Sequence, residues 1–564
     1  MRGTLSLSGV LSILACAGVI AVSVSAAPAL EDKCANLLKN RVLKALPNTT
    51  FTSAQTVMGS FMPPGGKEAI TGLPSFCRVA ATLKPAPASD VKVEVWMPTA
   101  WNGKLEGIGN AGLGGAIAYN NAEADAIDHA SLVDAVKMGY AGVSTDTGHV
   151  NSDRTWLANE DKERDYGYRA IHAMTVTAKA VTQQFYGSTA KHTYFNGCST
   201  GGGQALGEAQ QYPEDYDGIL AGSPQNYLTH TRALDLWKYQ LINKDPQAKL
   251  SKELLSLVTR AVMYRCGQDY GADKDGFLSN DPRECWFGPE ELLCNDGDDP
   301  ATCLNPAQAK AIMKMYEGYW IPGTHLQVMP GFPPGSEGPT GPGNVGWGRG
   351  PYLKGTSIAS TAGSQFYLFA VLQKPDADLA KIDIGEAVQM ADQKFGYINH
   401  TNPDLSGFIQ RGGKLLIYHG WNDPDVPVYN SINYYSTFVD MLQRTGKMNH
   451  ADALAQAQKS VRLFTAPGMG HCGGGPGPNS FDTVKTLDQW VDQGVAPEKI
   501  VATHAGDGET TFSRPLCPYP QYAQYSGKGD RKDAASWTCV NEHWNWALYD
   551  RYFYAPDLAP KERQ

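Results

Sequence analysis

His192-Thr193-Tyr194-Phe195-Asn196-Gly197-Cys198-Ser199-Thr200-Gly201-Gly202-Gly203-Gln204 is the stretch on which the fold of this 564-residue chain turns. His192 to Asn196 reads as a short strand, and Gln204 to Gln211, beyond a glycine cluster, reads as a helix. Between them Gly197-Cys198-Ser199-Thr200-Gly201 has the form G-x-S-x-G. A chain that turns from strand to helix this tightly needs glycine on both sides of the turning residue. The turn lifts the serine hydroxyl above the sheet and leaves the following backbone N–H at the helix start. The five letters alone arise by chance; the strand-turn-helix setting makes Ser199 a candidate nucleophile.

Outward from this stretch the same alternation continues. Val91 to Trp96 alternates as a strand does, and Trp101-Asn102-Gly103-Lys104 turns into a glycine-rich segment from Gly107 to Gly115. Tyr140 to Ser144 is a short apolar strand ending in Thr145-Asp146-Thr147-Gly148-His149, and Arg169 to Tyr186 has helical spacing that stops near Gly187. Downstream, Lys414 to Tyr418 and Arg462 to Phe464 are strand candidates, with a helix over Val484 to Gln493. Strands alternating with helices predict an α/β fold around a mostly parallel sheet. From about Tyr227 to His400 the pattern changes to four cysteines, a carboxylate-rich loop and a long patternless run from Gly331 to Gly350. That is too long for a connection and predicts an inserted domain. The expected organisation is a signal peptide over 1–26, a first core part over 27–226, an inserted lid over 227–400 and a second core part over 401–564.

A serine nucleophile needs a base and an acid to orient it, and in an α/β-hydrolase they follow in the order Ser, Asp, His. Just past the strand ending at Tyr418 comes His419-Gly420-Trp421-Asn422-Asp423-Pro424, which puts a carboxylate in the loop where the acid belongs. Asp425 is its nearest rival. Gly468-Met469-Gly470-His471-Cys472-Gly473-Gly474 then offers His471 as the base, with His419 as the alternative. Any single loop Asp or His is more simply a solvated surface residue; three in the correct order, each at a strand end, are not. Cys198 abuts the serine and Cys472 the histidine, so the two cysteines can bridge if Ser199 and His471 are within reach. Closing so long a loop stabilises by up to about 5 kcal/mol in the chain-entropy model.

Whole-chain features exclude other classes. The formal charge is −9 with no basic cluster, which argues against a nucleic-acid partner. Arg2, the apolar stretch from Val10 to Val24 and Val24-Ser25-Ala26 read as a signal peptide cut after Ala26. No later stretch is long and apolar enough to span a bilayer, so a soluble, exported mature chain is expected. Removing Cys16 with the signal leaves ten cysteines, an even number that suggests disulfides; zinc is disfavoured because no CxxC occurs. Cys266/Cys285, Cys294/Cys303 and Cys517/Cys539 look like local staples.

Cys198-Ser199, Asp423 and His471-Cys472 resemble the CS-D-HC pattern of the tannase and feruloyl esterase family. The resemblance runs over nearly the whole mature chain, through Trp101-Asn102-Gly103, Asp146-Thr147-Gly148-His149, Tyr194-Phe195-Asn196-Gly197, Tyr216-Asp217-Gly218-Ile219, Tyr418-His419-Gly420 and Arg514-Pro515-Leu516-Cys517-Pro518-Tyr519-Pro520. It implies an α/β-hydrolase core with a lid, a Ser199 nucleophile, His471 as base and then acid, and Asp423 fixing the imidazole tautomer. It implies an oxyanion hole made by the backbone N–H groups of Thr200 and Gly112, and disulfides Cys34–Cys77, Cys198–Cys472, Cys266–Cys285, Cys294–Cys303 and Cys517–Cys539. The implied substrates are small aromatic esters, hydroxycinnamic (feruloyl-type) first and galloyl second, cleaved through an acyl-enzyme with no organic cofactor.

The family lid usually carries structural calcium, which points here to Asp269, Asp273, Asp275 and Phe277 after Cys266. The usual acidic positions fall on Gln268 and Gly271, so a shifted loop is needed. The lid aromatics Tyr316, Tyr319, Trp320, Phe332, Trp347, Tyr352, Phe366, Tyr367 and Phe369 are read mostly as lid core. A peptidase or general lipase shares the triad but not the family pattern. A non-enzymatic binding protein on this scaffold would need a damaged triad, and the three residue types are all in place.

Overall fold

The computed structural model describes residues 26–120, 130–270, 272–279, 281–285, 287–324, 326–338, 346–348, 361–506 and 509–541. The expected signal segment before residue 26 lies outside them.

Among the described residues nine strands form the central sheet: β1 (Thr49–Phe61), β2 (Ile70–Leu83), β3 (Val91–Pro98), β4 (Lys104–Ile108), β5 (Ala141–Thr145), β6 (His192–Cys198), β7 (Gly218–Gly222), β8 (Lys414–Gly420) and β9 (Val461–Ala466). Their spatial order is β1-β2-β3-β5-β4-β6-β7-β8-β9. The six from β5 to β9 in that order run parallel, and β1, β2 and β3 add an antiparallel edge. The parallel strands are short and apolar because helices cover both faces, so no position can be given to water. Helix α1 (Ala170–Tyr186) lays Ile171, Met174, Ala178, Val181 and Phe185 on the sheet at i, i+3, i+7, i+10 and i+14. Each large apolar side chain so covered contributes about 1.5–3 kcal/mol. Gly187, in the left-handed region at φ 81°, ends that helix.

Two hairpins were not legible in advance. β1 and β2 pair over most of their length at the sheet edge, and Ile500–Gly506 pairs with Glu509–Leu516 near the C-terminus. β1 is largely exposed or half-exposed, so it lacks the alternation that a buried face imprints.

Between β7 and β8 the chain leaves the sheet. It forms α2 (Leu228–Asn243) and further helices around a hydrophobic cluster of their own, which includes Leu234, Val258, Ile312, Phe332, Trp347 and Tyr367. The aromatics Phe332, Trp347, Phe366 and Tyr367 are buried in it, as befits an insertion core, while Trp320 is partly exposed and Tyr352 lies outside the described residues. No helix among the described residues is long and apolar enough to cross a membrane.

Five disulfides join Cys34–Cys77, Cys198–Cys472, Cys266–Cys285, Cys294–Cys303 and Cys517–Cys539, the same pairs the resemblance implies.

Candidate active site

The parallel register brings the C-terminal strand ends into line. Cys198 on β6 lies opposite Gly222 on β7, Gly222 opposite Tyr418 on β8, and Gly420 opposite Ala466 on β9. The loops that follow β6, β8 and β9, and the one after β4, therefore open on one edge of the sheet. Ser199, Asp423, His471 and Gly112 each sit in one of these loops.

Ser199 has φ 61° and ψ −121°, a conformation costly for a residue with a side chain. Its N–H donates to Gly222 O at 2.9 Å and its carbonyl accepts from Gly203 N at 3.1 Å, which holds the strained turn. The flanking glycines are required by contact. A Cβ on Gly197 would lie 2.7 Å from Gly201 C, and one on Gly109, in the neighbouring loop, 2.7 Å from Gly201 Cα. Thr200 opens the helix that follows, Thr200–Gln211.

Asp423 is buried with every lone pair directed. Oδ1 accepts from Asp425 N and Val426 N, each at 2.9 Å. Oδ2 faces His471 Nδ1 at 2.8 Å and His419 Nε2 at 3.1 Å. Burial alone would raise this carboxyl; the charge and hydrogen bond of His471 and the contact with His419 outweigh it and hold the group well below the ordinary carboxylate range. Asp425, the rival acid, meets this carboxylate through its backbone N–H. His471 Nδ1 is thus committed to the carboxylate, which leaves Nε2 as the nitrogen available to substrate-side chemistry.

Ser199 and His471 lie in separate loops, after β6 and after β9. What ties the two together is covalent. The Cys198–Cys472 bridge, with Cα atoms 6.0 Å apart, joins the residue before the serine to the residue after the histidine. Asn422 N donates to Met469 O at 2.9 Å, which fixes the acid loop to the histidine loop.

Above β4, Ala111-Gly112-Leu113-Gly114 forms a turn closed by Gly114 N to Ala111 O at 2.9 Å, with Gly112 at φ 58°. Neither the Gly112 N–H nor the Thr200 N–H has an acceptor among the described residues. Next to this turn, His149 Nε2 lies 2.8 Å from Leu113 O, and burial lowers that imidazole to about 4, so it is a neutral donor.

His419 is the residue whose place sequence reasoning missed. It is fully buried beneath Asp423, with Nδ1 on Ser431 Oγ at 2.8 Å and Nε2 also on Val426 O at 2.9 Å. It supports the acid and is shut off from the cleft, so it is no alternative base. Its position at the C-terminal end of β8 was the available signal.

A model of the family described as tannase and feruloyl esterase matches residues 77–540. The chain belongs to that family. An uncharacterized esterase of Xanthomonas campestris pv. campestris is 33% identical over 567 residues, covering 94% of each chain. Feruloyl esterase B of Aspergillus niger is 28% identical, over 84% of this chain and 88% of its own. Among solved structures, feruloyl esterase B from Aspergillus oryzae matches at TM-score 0.78 and 26% identity, over 91% of this chain and 100% of that one. Tannin acyl hydrolase from Aspergillus niger matches at TM-score 0.73 and 18% identity, over 94% and 97%, a likeness of fold. The protein is a carboxylic ester hydrolase of this family on an α/β-hydrolase core.

The esterase's expected calcium loop reads differently in three dimensions. Asp275 Oδ1 accepts from Arg514 Nη2 at 3.0 Å and Oδ2 from Arg531 Nη2 at 2.7 Å. A carboxylate already neutralised by two guanidinium groups does not fit a divalent-cation donor set. The Phe277 side chain is buried, and the side chains of Asp269 and Asp273 lie outside the described residues.

Proposed function

We propose that the esterase is exported and hydrolyses small aromatic esters, hydroxycinnamic ones first, through an acyl-enzyme on Ser199. The observation that carries the mechanism is the Asp423–His471 pair at 2.8 Å, covalently tethered beside Ser199 by Cys198–Cys472. In the proposed cycle His471 Nε2 takes the serine proton as Oγ attacks the ester carbonyl. Asp423 holds the tautomer and the charge on the ring. The N–H groups of Thr200 and Gly112 receive the oxyanion, each donor contributing about 3–4 kcal/mol to the transition state. His471 then returns the proton to the leaving alcohol; in the second half His471 takes a proton from the water that attacks the acyl carbonyl and returns it to Ser199 Oγ as the leaving group, which frees the carboxylic acid. The helical insertion serves as the lid over this edge.

The aromatic acyl preference draws on the feruloyl esterases among the relatives. It is tested by kcat/KM on methyl ferulate, methyl p-coumarate, methyl caffeate, methyl gallate and a short p-nitrophenyl ester. Preference for the hydroxycinnamates supports the reading, and preference for gallate replaces it with a galloyl esterase. Turnover of the activated ester alone removes the aromatic assignment. Export is tested by the N-terminus of protein recovered outside the cytoplasm, expected at Ala27.

Structural calcium is proposed in the form that leaves Asp275 to the two arginines, with Asp269, Asp273 and the Phe277 carbonyl as donors. Melting at a lower temperature in excess chelator supports it; an unchanged melt removes it.

A further inference from the structure

Arg232 lies on α2, the first helix of the insertion, and is 5% exposed. Its guanidinium forms no ion pair among the described residues, and its Nε has no acceptor there. A buried cation left without a carboxylate is costly and calls for a reason. Its remaining contacts supply one. Nη2 donates to Gly112 O at 2.6 Å and to Thr200 Oγ1 at 3.1 Å, and lies 3.4 Å from Tyr166 OH. The Thr200 hydroxyl itself donates to Gly112 O at 2.6 Å, and Tyr166 OH reaches the same oxygen at 3.2 Å. Three donors thus converge on one carbonyl oxygen.

That carbonyl belongs to the central peptide of the Ala111–Gly114 turn, beside the Gly112 N–H. Glycine at positive φ leaves this peptide freer to rotate than any other residue would. Rotation would swing a carbonyl dipole toward the point where negative charge develops, and the clamp on Gly112 O prevents it. The same guanidinium brings an uncompensated positive charge to within one hydrogen bond of both oxyanion residues. Charge there is neutralised only when the substrate carbonyl becomes an oxyanion, so the gain falls on the transition state and not on the bound ester.

We propose that Arg232 is a positioning residue that fixes the oxyanion turn from the insertion and makes the hole complete only when this helix is docked. The proposal rests on the reading of Ser199 as nucleophile and of Gly112 and Thr200 as oxyanion donors. The test is kcat and KM for p-nitrophenyl acetate, whichever acyl group the esterase prefers, together with inhibition by an arylboronic acid that mimics the tetrahedral state. For Arg232→Met we expect kcat to fall about 30-fold, short of the roughly 100- to 1,000-fold loss of a direct donor. KM should stay within about threefold, and boronate affinity should weaken in parallel with kcat. Arg232→Lys should recover about tenfold of the loss. If Arg232→Met does not fold, Thr200→Val, which keeps the N–H but removes the hydroxyl from the clamp, should show the same split. A kcat within about threefold of the parent in these variants, or an effect confined to KM, overturns the proposal. Ser199→Ala run alongside separates the two levels: its inactivity keeps the underlying mechanism, while full turnover removes that mechanism and this proposal with it.

Discussion

At the residue scale, Asp423 does more than accept one hydrogen bond. Its four contacts distribute the carboxylate between two backbone N–H groups and two imidazoles, so the charge stays on the acid while His471 cycles. Asp423→Asn keeps the shape but presents an amide N–H to one of the rings, and kcat should fall by about 10⁴-fold at little cost to the melting temperature. His419→Gln, which keeps a donor beneath the acid, should cost about tenfold or less in the same assay. If the two substitutions proved equally damaging, His419 would have to act in the chemistry itself, and its burial speaks against that.

At the scale of elements, the site is a set of loops held to one another as well as to the strands beneath. The Cys198–Cys472 bridge spans 274 residues of sequence. Replacing both cysteines by serine should destabilise the fold by about 5 kcal/mol, an upper figure from loop closure, measured by chemical denaturation. Activity at a temperature well below the melt should also fall, because the histidine loop loses its tether to the elbow; unchanged kcat in the folded variant would mean that the Asn422–Met469 contact is tether enough. Gly197→Ala forces a Cβ to 2.7 Å from the Gly201 backbone. A loss of about 1–3 kcal/mol is expected from such overpacking.

Across the whole molecule, buried titratable groups set the response to acid. His149 and His400 are buried, and burial lowers each to about 4. The unfolded chain protonates them near 6.5. Their contribution is therefore full above about pH 6.5 and is lost as pH falls toward 4, by about 3 kcal/mol per histidine. Asp146 works the other way: burial pushes it up to about 6, so its contribution is full below about pH 4 and is lost as pH rises through 6. Burial also holds Glu163, Asp165, Glu208 and Glu337 above the ordinary carboxylate value, so they act as Asp146 does. The histidine share is therefore read as a difference: the gap in urea midpoint between the parent and His400→Gln should change from pH 6.5 to about 4, with the parent losing more than the variant. A gap that stays constant over this window would contradict the assignment of His400 as neutral when folded.

What the sequence determined by itself was local chemistry and its order. A glycine-flanked serine between strand and helix, an aspartate and a histidine each just past a strand, and a cysteine beside two of the three are all short-range signals, because tight turns and buried strands restrict which residues can occupy them. The tertiary structure decided what those signals meet. Parallel register, not spacing along the chain, lines up the ends of β4, β6, β8 and β9. The edge hairpin β1–β2 was hidden because a strand without a buried face carries no periodicity. Arg232 carried no motif, and His419 was legible as an alternative base: the first becomes a clamp on Gly112 and the second a support for the acid only because the inserted helix and the loops pack there. Asp275 looked like a cation ligand until two arginines, 239 and 256 residues away in sequence, were brought to its oxygens. Long-range contacts of this kind depend on how separately legible pieces pack, and packing is a property of the whole chain.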